Sequence, residues 1–191
     1  IVQARLGSKR FRGKVLKKLL RKELIFTLLE RVRMVKSIDE LVIAIPETDI
    51  KLYNILNAKG YKVFKGSEKD VLSRYYHAAL KHKANIIVRI TADCPLVDPE
   101  LVSNVIKKFK LSNYDYISNI NPPTYPDGLD VEVYSFNTLK KIFKESKLPE
   151  DREHISSYVF KNKDFKTFNF ENSKDYSFLR LTVDYEDDLL M

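Results

Sequence analysis

The sequence predicts an α/β fold in which a mostly parallel, twisted sheet carries helices on both faces. Strand-like and helix-like patterns alternate four times within residues 1–110. The stretches ELVIAI (40–45) and NIIVRI (85–90) are continuous apolar runs, which is typical of strands buried on both faces of a parallel sheet. Right-handed crossovers leave few other arrangements for this alternation. The fold expected for the first half is therefore Rossmann-like.

Each element of the first half has its own signal. The predicted strands are IVQA (1–4), ELVIAI, YKVF (61–64) and NIIVRI. Apolar residues at helical spacing predict a helix over about 23–35, and a second helix over about 48–59 ends at Gly60. A third helix is expected from the Ser67–Asp70 region to about 82. The fourth begins at Pro99, since proline suits the first helical position.

The second half is less regular. The proline-rich loop NPPTYPDG (121–128) precedes a predicted strand, LDVEVYS (129–135). Helices are expected near 137–146 and 151–162, followed by two strand-like stretches, FKTFNFE (165–171) and LRLTVD (179–184). No repeat, linker or low-complexity segment divides the chain, so the 191 residues are expected to form one domain, 1–191.

The composition restricts the setting of the protein. The single cysteine, Cys94, excludes an internal disulfide and a cysteine-cluster zinc site, which favours a reducing, cytoplasmic location. No apolar run approaches the roughly 20 residues of a membrane-spanning helix, so no membrane partner is expected. The chain begins without Met and stops within EDDLLM, which resembles the start of a helix, so both ends are expected to be trimmed.

Positive charge is concentrated at the beginning of the chain. Nine of the 34 Lys and Arg residues lie in the first 22 positions, and the first acidic residue is Glu23. The rest of the chain has 25 basic and 26 acidic residues and is close to neutral. Ligands of parallel sheets bind at the carboxyl ends of the strands where the winding direction reverses, so a basic loop after the first strand favours a phosphate ligand. A solvated basic loop or a nucleic-acid patch remains the alternative.

The loop does not match the common phosphate-binding motifs. The Walker pattern G-x-x-x-x-G-K-[ST] is absent, because five residues separate Gly7 from Gly13 and Lys14 is followed by Val15. The dinucleotide pattern G-x-G-x-x-G is absent as well. Gly7 would nevertheless allow a phosphate to approach the backbone, and arginine and lysine side chains would neutralise it.

The stretch QARLGSKRFRGKVL (3–16) resembles the signature Q-A-R-x-G-S-x-R-L-P-G-K-x-L of a cytidylyltransferase family. That family includes the bacterial CMP-ulosonate synthetases and the spore coat polysaccharide biosynthesis protein F group. The stretches GSEKDVLSRYYHAA, VRITADCPLVDPELV and YPDGLDVEVYS are similar to the spore coat group. Two departures are visible: Phe11-Arg12 replaces Leu-Pro, and LLRKEL (19–24) replaces a turn that contains glycine.

The resemblance implies a nucleotide-diphospho-sugar transferase type of fold and a nucleotidyltransferase that uses CTP. The CMP group would pass to a hydroxyl of an acidic sugar of the ulosonic-acid type, giving CMP-sugar and pyrophosphate for surface polysaccharide or glycan biosynthesis. Residues 1–110 would bind the nucleotide, and 111–191 would bind the acceptor and possible homodimer partner. The nucleotide-binding residues implied are Ala4, Arg5, Gly7, Ser8, Arg10 and Lys14, of which Arg5, Arg10 and Lys14 are the catalytic candidates.

A triphosphate is expected to bring Mg²⁺, which prefers one or two carboxylates. Asp93 follows the buried strand 85–90, and the family's matching acid helps to hold metal. Asp184 in LTVDYEDDL resembles the acid of the family motif V-D-x-P-E-D-L, which completes that site. The alternative role for Asp93 is a turn, and for Asp184 a helix N-cap. Asp98, which precedes Pro99, is expected to be a cap and not a site residue.

Asp127 and Asp130 in YPDGLDVEVY are the candidates for binding sugar hydroxyls, and a β-turn with ordinary strand alternation is the alternative. Arg89 in a strand and Arg74 on a helix are compatible with paired structural cations. His154 in REHISSY is a candidate for the acceptor site, although a lone histidine is more often structural.

Two other functions remain open at this stage. The pI near 9.3 is compatible with a nucleic-acid-binding module, although the charge is confined to one loop. The altered turn at 11–22 is compatible with a non-catalytic family member, although the retained Asp93 and Asp184 argue against that reading. Release of pyrophosphate from CTP would separate the enzyme from both.

Overall fold

The structure is a computed structural model that describes residues 1–190. Its main feature is a seven-stranded sheet in the order β5-β4-β1-β6-β8-β7-β9. The strands are β1 (Val2–Gln3), β4 (Val42–Pro46), β5 (Lys62–Gly66), β6 (Ile86–Thr91), β7 (Tyr116–Ser118), β8 (Glu132–Ser135) and β9 (Thr167–Asn169). A separate hairpin consists of β2 (Lys18–Leu19) and β3 (Lys22–Glu23).

Within residues 1–190, seven α-helices connect these strands. They are α1 (Leu24–Arg33), α2 (Ile50–Ala58), α3 (Val71–Lys81), α4 (Pro99–Lys110), α5 (Phe136–Glu145), α6 (Pro149–Glu153) and α7 (Ile155–Lys161). Short 3₁₀ helices cover Lys14–Leu16 and Asp187–Leu189. None of the described helices is long and apolar enough to cross a membrane.

The sheet is mixed but mostly parallel. β1 pairs in parallel with β4 and β6, and β4 pairs in parallel with β5. β8 is antiparallel to both β6 and β7, and β9 is parallel to β7. The predicted mostly parallel α/β architecture is therefore confirmed. The less regular second half supplies β7, β8 and β9, and β8 is antiparallel to both of its neighbours.

Two hydrophobic clusters cover the two faces of the sheet. The first contains buried residues of α1, α2 and α4, and the second contains those of α3, α5 and α7. Neighbouring residues of one strand enter opposite clusters, as Tyr116 and Ile117 do on β7. This alternation follows from the two-residue period of a strand and explains why the inner strands read as continuous apolar runs.

Two predictions for the second half are wrong. Residues 151–162 are not one helix, because α6 ends at Glu153 and α7 begins at Ile155, with His154 between them. LRLTVD (179–184) is not a strand of the sheet, and Arg180 makes only an isolated parallel bridge to Asp127. Its residues are held instead by loop contacts that build the candidate site.

Candidate active site

The loop after β1 lies where the winding of the sheet reverses. The chain proceeds from β1 to β4 and β5 on one side, and then returns to β6 on the other side of β1. Gln3 and Thr91 are register partners at the carboxyl ends of β1 and β6, and the N–H of Ala92 donates to the carbonyl of Gln3 (2.9 Å). The loops that follow these two strands therefore start side by side, which is where open α/β sheets bind ligands.

The basic loop folds back on itself before it reaches Lys14. Gly13 has φ +70°, a conformation that favours glycine, and its N–H donates to the carbonyl of Leu6 (2.9 Å). Phe11, at the departure from the family signature, is buried against Leu24 and Val183. The packing of Phe11 therefore holds this loop against the segment that carries Asp184.

Lys14 is at the centre of the site. Its Nζ lies 3.1 Å from Asp93 Oδ2 and 2.8 Å from Asp184 Oδ1, and its side chain is only 9% exposed. Arg10 also contacts Asp184 Oδ1, at 2.7 Å, but its side chain is 54% exposed. Burial acts to raise the pKa of Asp93, but the Lys14 charge and a hydrogen bond from Thr91 hold that pKa below its ordinary value.

Backbone contacts bring the segment 180–184 to Asp93. The carbonyl oxygen of Asp93 accepts hydrogen bonds from the N–H of Val183 (2.8 Å) and from Oγ1 of Thr182 (3.0 Å). On the other side, the N–H of Leu181 donates to the carbonyl of Asp127 (2.6 Å). A Cβ atom at Gly128 would lie 2.5 Å from the backbone N of Thr182, so the two chains approach each other more closely than any side chain would allow.

The alternative role considered for Asp184, a helix N-cap, is not the one that its carboxylate has in the structure. The carboxylate of Asp188 accepts the N–H groups of Asp184 (2.7 Å) and Tyr185 (2.9 Å), so Asp188 closes this turn. The carboxylate of Asp184 is left to contact the cations of Arg10, Lys14 and Arg180.

Arg180 is a site residue that the sequence did not reveal. Its guanidinium lies 2.8 Å from Asp127 Oδ2, 3.2 Å from Asp184 Oδ2 and 3.5 Å from Asp188 Oδ2. Arg180 therefore links Asp127, which is predicted to bind the acceptor sugar, to Asp184, which is predicted to hold the metal. An arginine in a stretch that reads as a strand carries no signal for this role.

Asp130 differs from the other acids because it forms no hydrogen bond or ion pair with another described residue. Burial, followed by the negative charges of Asp127, Glu132 and Asp93, raises the pKa of Asp130 to about 6. Asp127 is half exposed, and burial together with nearby carboxylates raises its pKa despite the opposing charge of Arg180. Both predicted acceptor residues thus lie on the acidic side of the site.

The other predicted nucleotide residues lie along the same loop. Ala4 is buried, and its N–H donates to the carbonyl of Ala44 (3.2 Å). A Cβ atom on Gly7 would lie 3.2 Å from Glu68 Oε1, and Ser8 Oγ accepts the N–H of Phe11 (3.4 Å). Arg5 is half-buried. Among the predicted nucleotide-binding residues, only Arg10 and Lys14 form ion pairs with Asp93 or Asp184.

Arg74 on α3 is buried, with one polar contact. One guanidinium nitrogen donates to the carbonyl of Ser67, whereas Nε and the other nitrogen have no partner among the described residues. Burial lowers the pKa of Arg74, and the nearby charge of Arg5 lowers it further. Since Arg74 bonds to Ser67 and the neighbouring Glu68 lies against Gly7, Arg74 is near the loop after β1 and retains hydrogen-bond donors that no described residue satisfies.

The structure also shows where three residues lie that the sequence did not assign to the site. Asp98 caps α4 by accepting the N–H of Glu100 (2.9 Å), which confirms the expectation for it. Arg89 on β6 forms a buried ion pair with Glu132 on β8. His154 lies between α6 and α7.

The pair Asp93 and Asp184 fits a small divalent cation. Both carboxylates lie within about 3 Å of one nitrogen, so their contacting oxygens are less than about 6 Å apart and one hydrated ion could reach both. In the described part of the chain, no three Asp, Glu, His or Cys side chains form a metal cluster. Two carboxylates alone suit Mg²⁺, which completes its shell with water and phosphate oxygens.

Comparisons with known proteins agree with this architecture. A sequence profile described as cytidylyltransferase matches residues 1–185. The spore coat polysaccharide biosynthesis protein SpsF of Bacillus subtilis is 37% identical over 166 residues, 83% of this chain and 68% of SpsF. A cytidylyltransferase from Leptospira borgpetersenii superposes with a TM-score of 0.93 and 34% identity, covering 98% of this chain and 81% of that one.

A more distant structure has the same fold. CMP:2-keto-3-deoxy-manno-octonic acid synthetase in complex with CTP superposes with a TM-score of 0.79 over 99% of this chain and 93% of that one. Its identity to this chain is 18%, so it supports the fold only.

Proposed function

Because the chain belongs to the cytidylyltransferase family, we propose that it transfers CMP from CTP to a hydroxyl of an acidic sugar of the ulosonic-acid type. The acceptor hydroxyl oxygen attacks the α-phosphorus and loses its proton to water. The bond from that phosphorus to the oxygen that bridges the α- and β-phosphates breaks, and pyrophosphate leaves. The observation that carries the proposal is the convergence of Lys14, Asp93 and Asp184 at the point where the sheet reverses its winding.

The basic loop would bind the triphosphate. Arg10 offers two-pronged contacts to phosphate oxygens, and its exposed side chain is free to turn towards a ligand. Lys14 would neutralise charge that develops on the α-phosphate and on the leaving pyrophosphate. Backbone N–H groups near Gly7 and the hydroxyl of Ser8 would complete the cradle, with Ala4 and Arg5 at its start.

Arg74 would help to select cytosine. Its free N–H groups are buried donors beside the Ser67–Glu68 segment, which lies against Gly7. Cytosine presents neighbouring acceptors at O2 and N3, whereas uracil carries a hydrogen on N3 that would oppose a donor. An unpaired buried donor is costly, so the site would discriminate against bases that cannot accept.

Asp93 and Asp184 would hold Mg²⁺ together with the phosphates. When bound, the ion would offset negative charge on the phosphates and leaving group. The protein's own contribution is to hold the backbone of the two acids together, through the hydrogen bonds that Thr182 and Val183 donate to the carbonyl oxygen of Asp93.

Asp127 and Asp130 would bind acceptor hydroxyls, with Arg180 fixing the orientation of Asp127. The similarity to SpsF, a spore coat polysaccharide biosynthesis protein, supports a sugar acceptor and a role in polysaccharide synthesis. A homodimer formed through the second half, and a cytoplasmic location where CTP is available, complete the proposal. Neither nucleic acid nor a membrane is a proposed partner.

Pyrophosphate release across four nucleoside triphosphates and a panel of acidic sugars tests the proposal. We expect release with CTP and one or a few sugars, and little release with ATP, GTP or UTP. The Arg74→Lys variant should reduce the preference for CTP over UTP, while Lys83→Gln, remote from the loop after β1, should not. Equal rates with all four nucleotides, or none with any sugar of the panel, would contradict the proposal.

A further inference from the structure

The position of the Lys14 ammonium group has a consequence for metal binding. Nζ lies between two carboxylate oxygens, at 3.1 Å from Asp93 and 2.8 Å from Asp184. No other side chain in residues 1–190 hydrogen-bonds to it. The ammonium thus takes the position between the carboxylates that the proposed function gives to the metal ion.

An ammonium and a divalent cation cannot share this position. A metal ion bonded to both carboxylates at about 2.1 Å would lie close to Nζ, with strong repulsion between like charges in a site of low exposure. The carboxylates are also neutralised without a metal, since Arg10 and Arg180 contact Asp184 in addition to Lys14. The free protein therefore has little electrostatic reason to bind a divalent ion here.

We propose that the Lys14 ammonium occupies the metal position in the free protein, so that the metal binds only together with the nucleotide. This inference rests on the proposed function, because it needs Asp93 and Asp184 to be the metal-holding acids. The triphosphate supplies new anionic partners for Lys14, which moves from the carboxylates to the phosphates. The same movement releases both carboxylates for the ion that accompanies the nucleotide.

The local structure allows this movement. The Lys14 backbone is fixed at the start of a 3₁₀ helix, and the N–H of Lys14 donates to the carbonyl of Phe11 (3.2 Å). The side chain beyond it is a flexible four-carbon chain with a single charged end. Nζ can therefore change partners while the loop keeps its course.

Binding of Mn²⁺, followed through the electron paramagnetic resonance signal of the free ion, tests the inference without any catalytic turnover. In the absence of nucleotide, the unmodified protein should bind Mn²⁺ weakly, and addition of CTP should strengthen binding. The Lys14→Met variant should bind Mn²⁺ without nucleotide at least about tenfold more tightly than the unmodified protein. Adding Asp93→Asn to Lys14→Met should remove that gain.

Two matched variants separate the position of Lys14 from its charge. Lys9→Met removes an exposed lysine of the same loop and should leave Mn²⁺ binding unchanged. Arg10→Gln removes a cation that pairs with Asp184 but not with Asp93, and it should give a smaller gain in Mn²⁺ affinity than Lys14→Met. Lys14→Gln provides a second substitution if the methionine variant does not fold, as judged by circular dichroism.

The outcomes distinguish this inference from the function on which it rests. If folded Lys14→Met and Lys14→Gln bind Mn²⁺ no better than the unmodified protein, or if Arg10→Gln gains as much, the inference is overturned. If CTP-dependent Mn²⁺ binding is nevertheless lost in Asp93→Asn, the metal site of the proposed function stands. If Asp93→Asn and Asp184→Asn leave CTP-dependent Mn²⁺ binding intact, the proposed site is wrong and the inference is overturned with it.

Discussion

The backbone N–H of Val183 donates a 2.8 Å hydrogen bond to the carbonyl oxygen of Asp93. This bond joins the loop after β6 to the segment before Asp184, and Thr182 adds a second bond to the same oxygen. These bonds to a main-chain oxygen fix the backbone at Asp93 against the segment that carries Asp184. The two acids are therefore held near each other whichever partner Lys14 contacts.

Asp93→Asn and Asp184→Asn should each lower the rate of pyrophosphate release sharply and raise the concentration of Mg²⁺ that is needed. Asparagine keeps the size of the side chain but removes the negative charge that a cation requires. Since both acids are proposed to serve one ion, the double variant should lose much less than the sum of the two single losses. Steady-state rates over a Mg²⁺ series measure both effects.

The two variants should differ in stability. The Asp184 side chain is 11% exposed and contacts three cations, so its asparagine variant should lose about 2–3 kcal/mol of unfolding free energy. Asp93 is 30% exposed and should lose about 1 kcal/mol. If Asp184→Asn lowers stability while its Mg²⁺ dependence stays normal, Asp184 has only a structural role.

Gly128→Ala should lower both activity and stability. Its φ is +105°, and the new Cβ would lie 2.5 Å from the backbone N of Thr182, so the segment that carries Arg180 and Asp184 would have to move. We expect a loss of about 3 kcal/mol or more in unfolding free energy, measured by urea denaturation.

Gly60→Ala is the matched control for Gly128→Ala. Gly60 also has a positive φ (+73°), but no atom lies within 4 Å of a Cβ built there. Its alanine variant should lose only about 1 kcal/mol, the cost of the backbone strain, and keep full activity. Equal losses in the two variants would show that contact with Thr182 is unimportant.

Asp130→Asn should make the protein more stable at neutral pH. The folded-state pKa of Asp130 is about 6, above the ordinary value of 3.8, so the protonated form is favoured by folding. The contribution of the protonated Asp130 carboxyl group to stability is fully present below about pH 4 and is lost as the pH rises through 6. At pH 7.5 the variant should therefore gain about 1–2 kcal/mol in urea denaturation, whereas near pH 4 it should gain little. A gain that does not change with pH would contradict this origin.

Leu20→Gly should also stabilise the protein. Leu20 lies in the β2–β3 turn with φ +58°, and it is 94% exposed, so the substitution relieves backbone strain and loses almost no packing. We expect a net gain of about 0.5 kcal/mol, because the greater freedom of unfolded glycine offsets part of the relief. Leu111→Gly, another exposed leucine whose φ is −95°, should destabilise the protein in the same thermal unfolding measurement.

The first half of the fold could be predicted because its signals are local. The strand at 42–46 is apolar along its whole length, the strand at 86–91 is apolar except for Arg89 and Thr91, and Pro99 marks the first turn of α4. The departure at 19–24 was visible in the sequence, but its result, a leucine in a glycine conformation, was not. Backbone conformation at one residue is set by the closure of the hairpin and not by its own side chain.

The second half was harder to predict because its structure depends on contacts between distant segments. LRLTVD has the composition of a strand, yet its backbone groups bond to the loops around Asp93 and Asp127. Arg180 was missed for the same reason, since only the folded chain brings Asp127, Asp184 and Asp188 around it. The acids themselves could be selected because they follow recognisable motifs.

Diffraction from crystals grown with Mn²⁺ and a non-hydrolysable CTP analogue tests the account most directly. The anomalous signal of manganese should lie within about 2.5 Å of a carboxylate oxygen of both Asp93 and Asp184, with the triphosphate against Arg10 and Lys14. In the same crystals, Lys14 Nζ should have left the carboxylates for a phosphate oxygen. A manganese peak that is bound to neither acid, or a triphosphate that does not contact the loop after β1, would contradict the account.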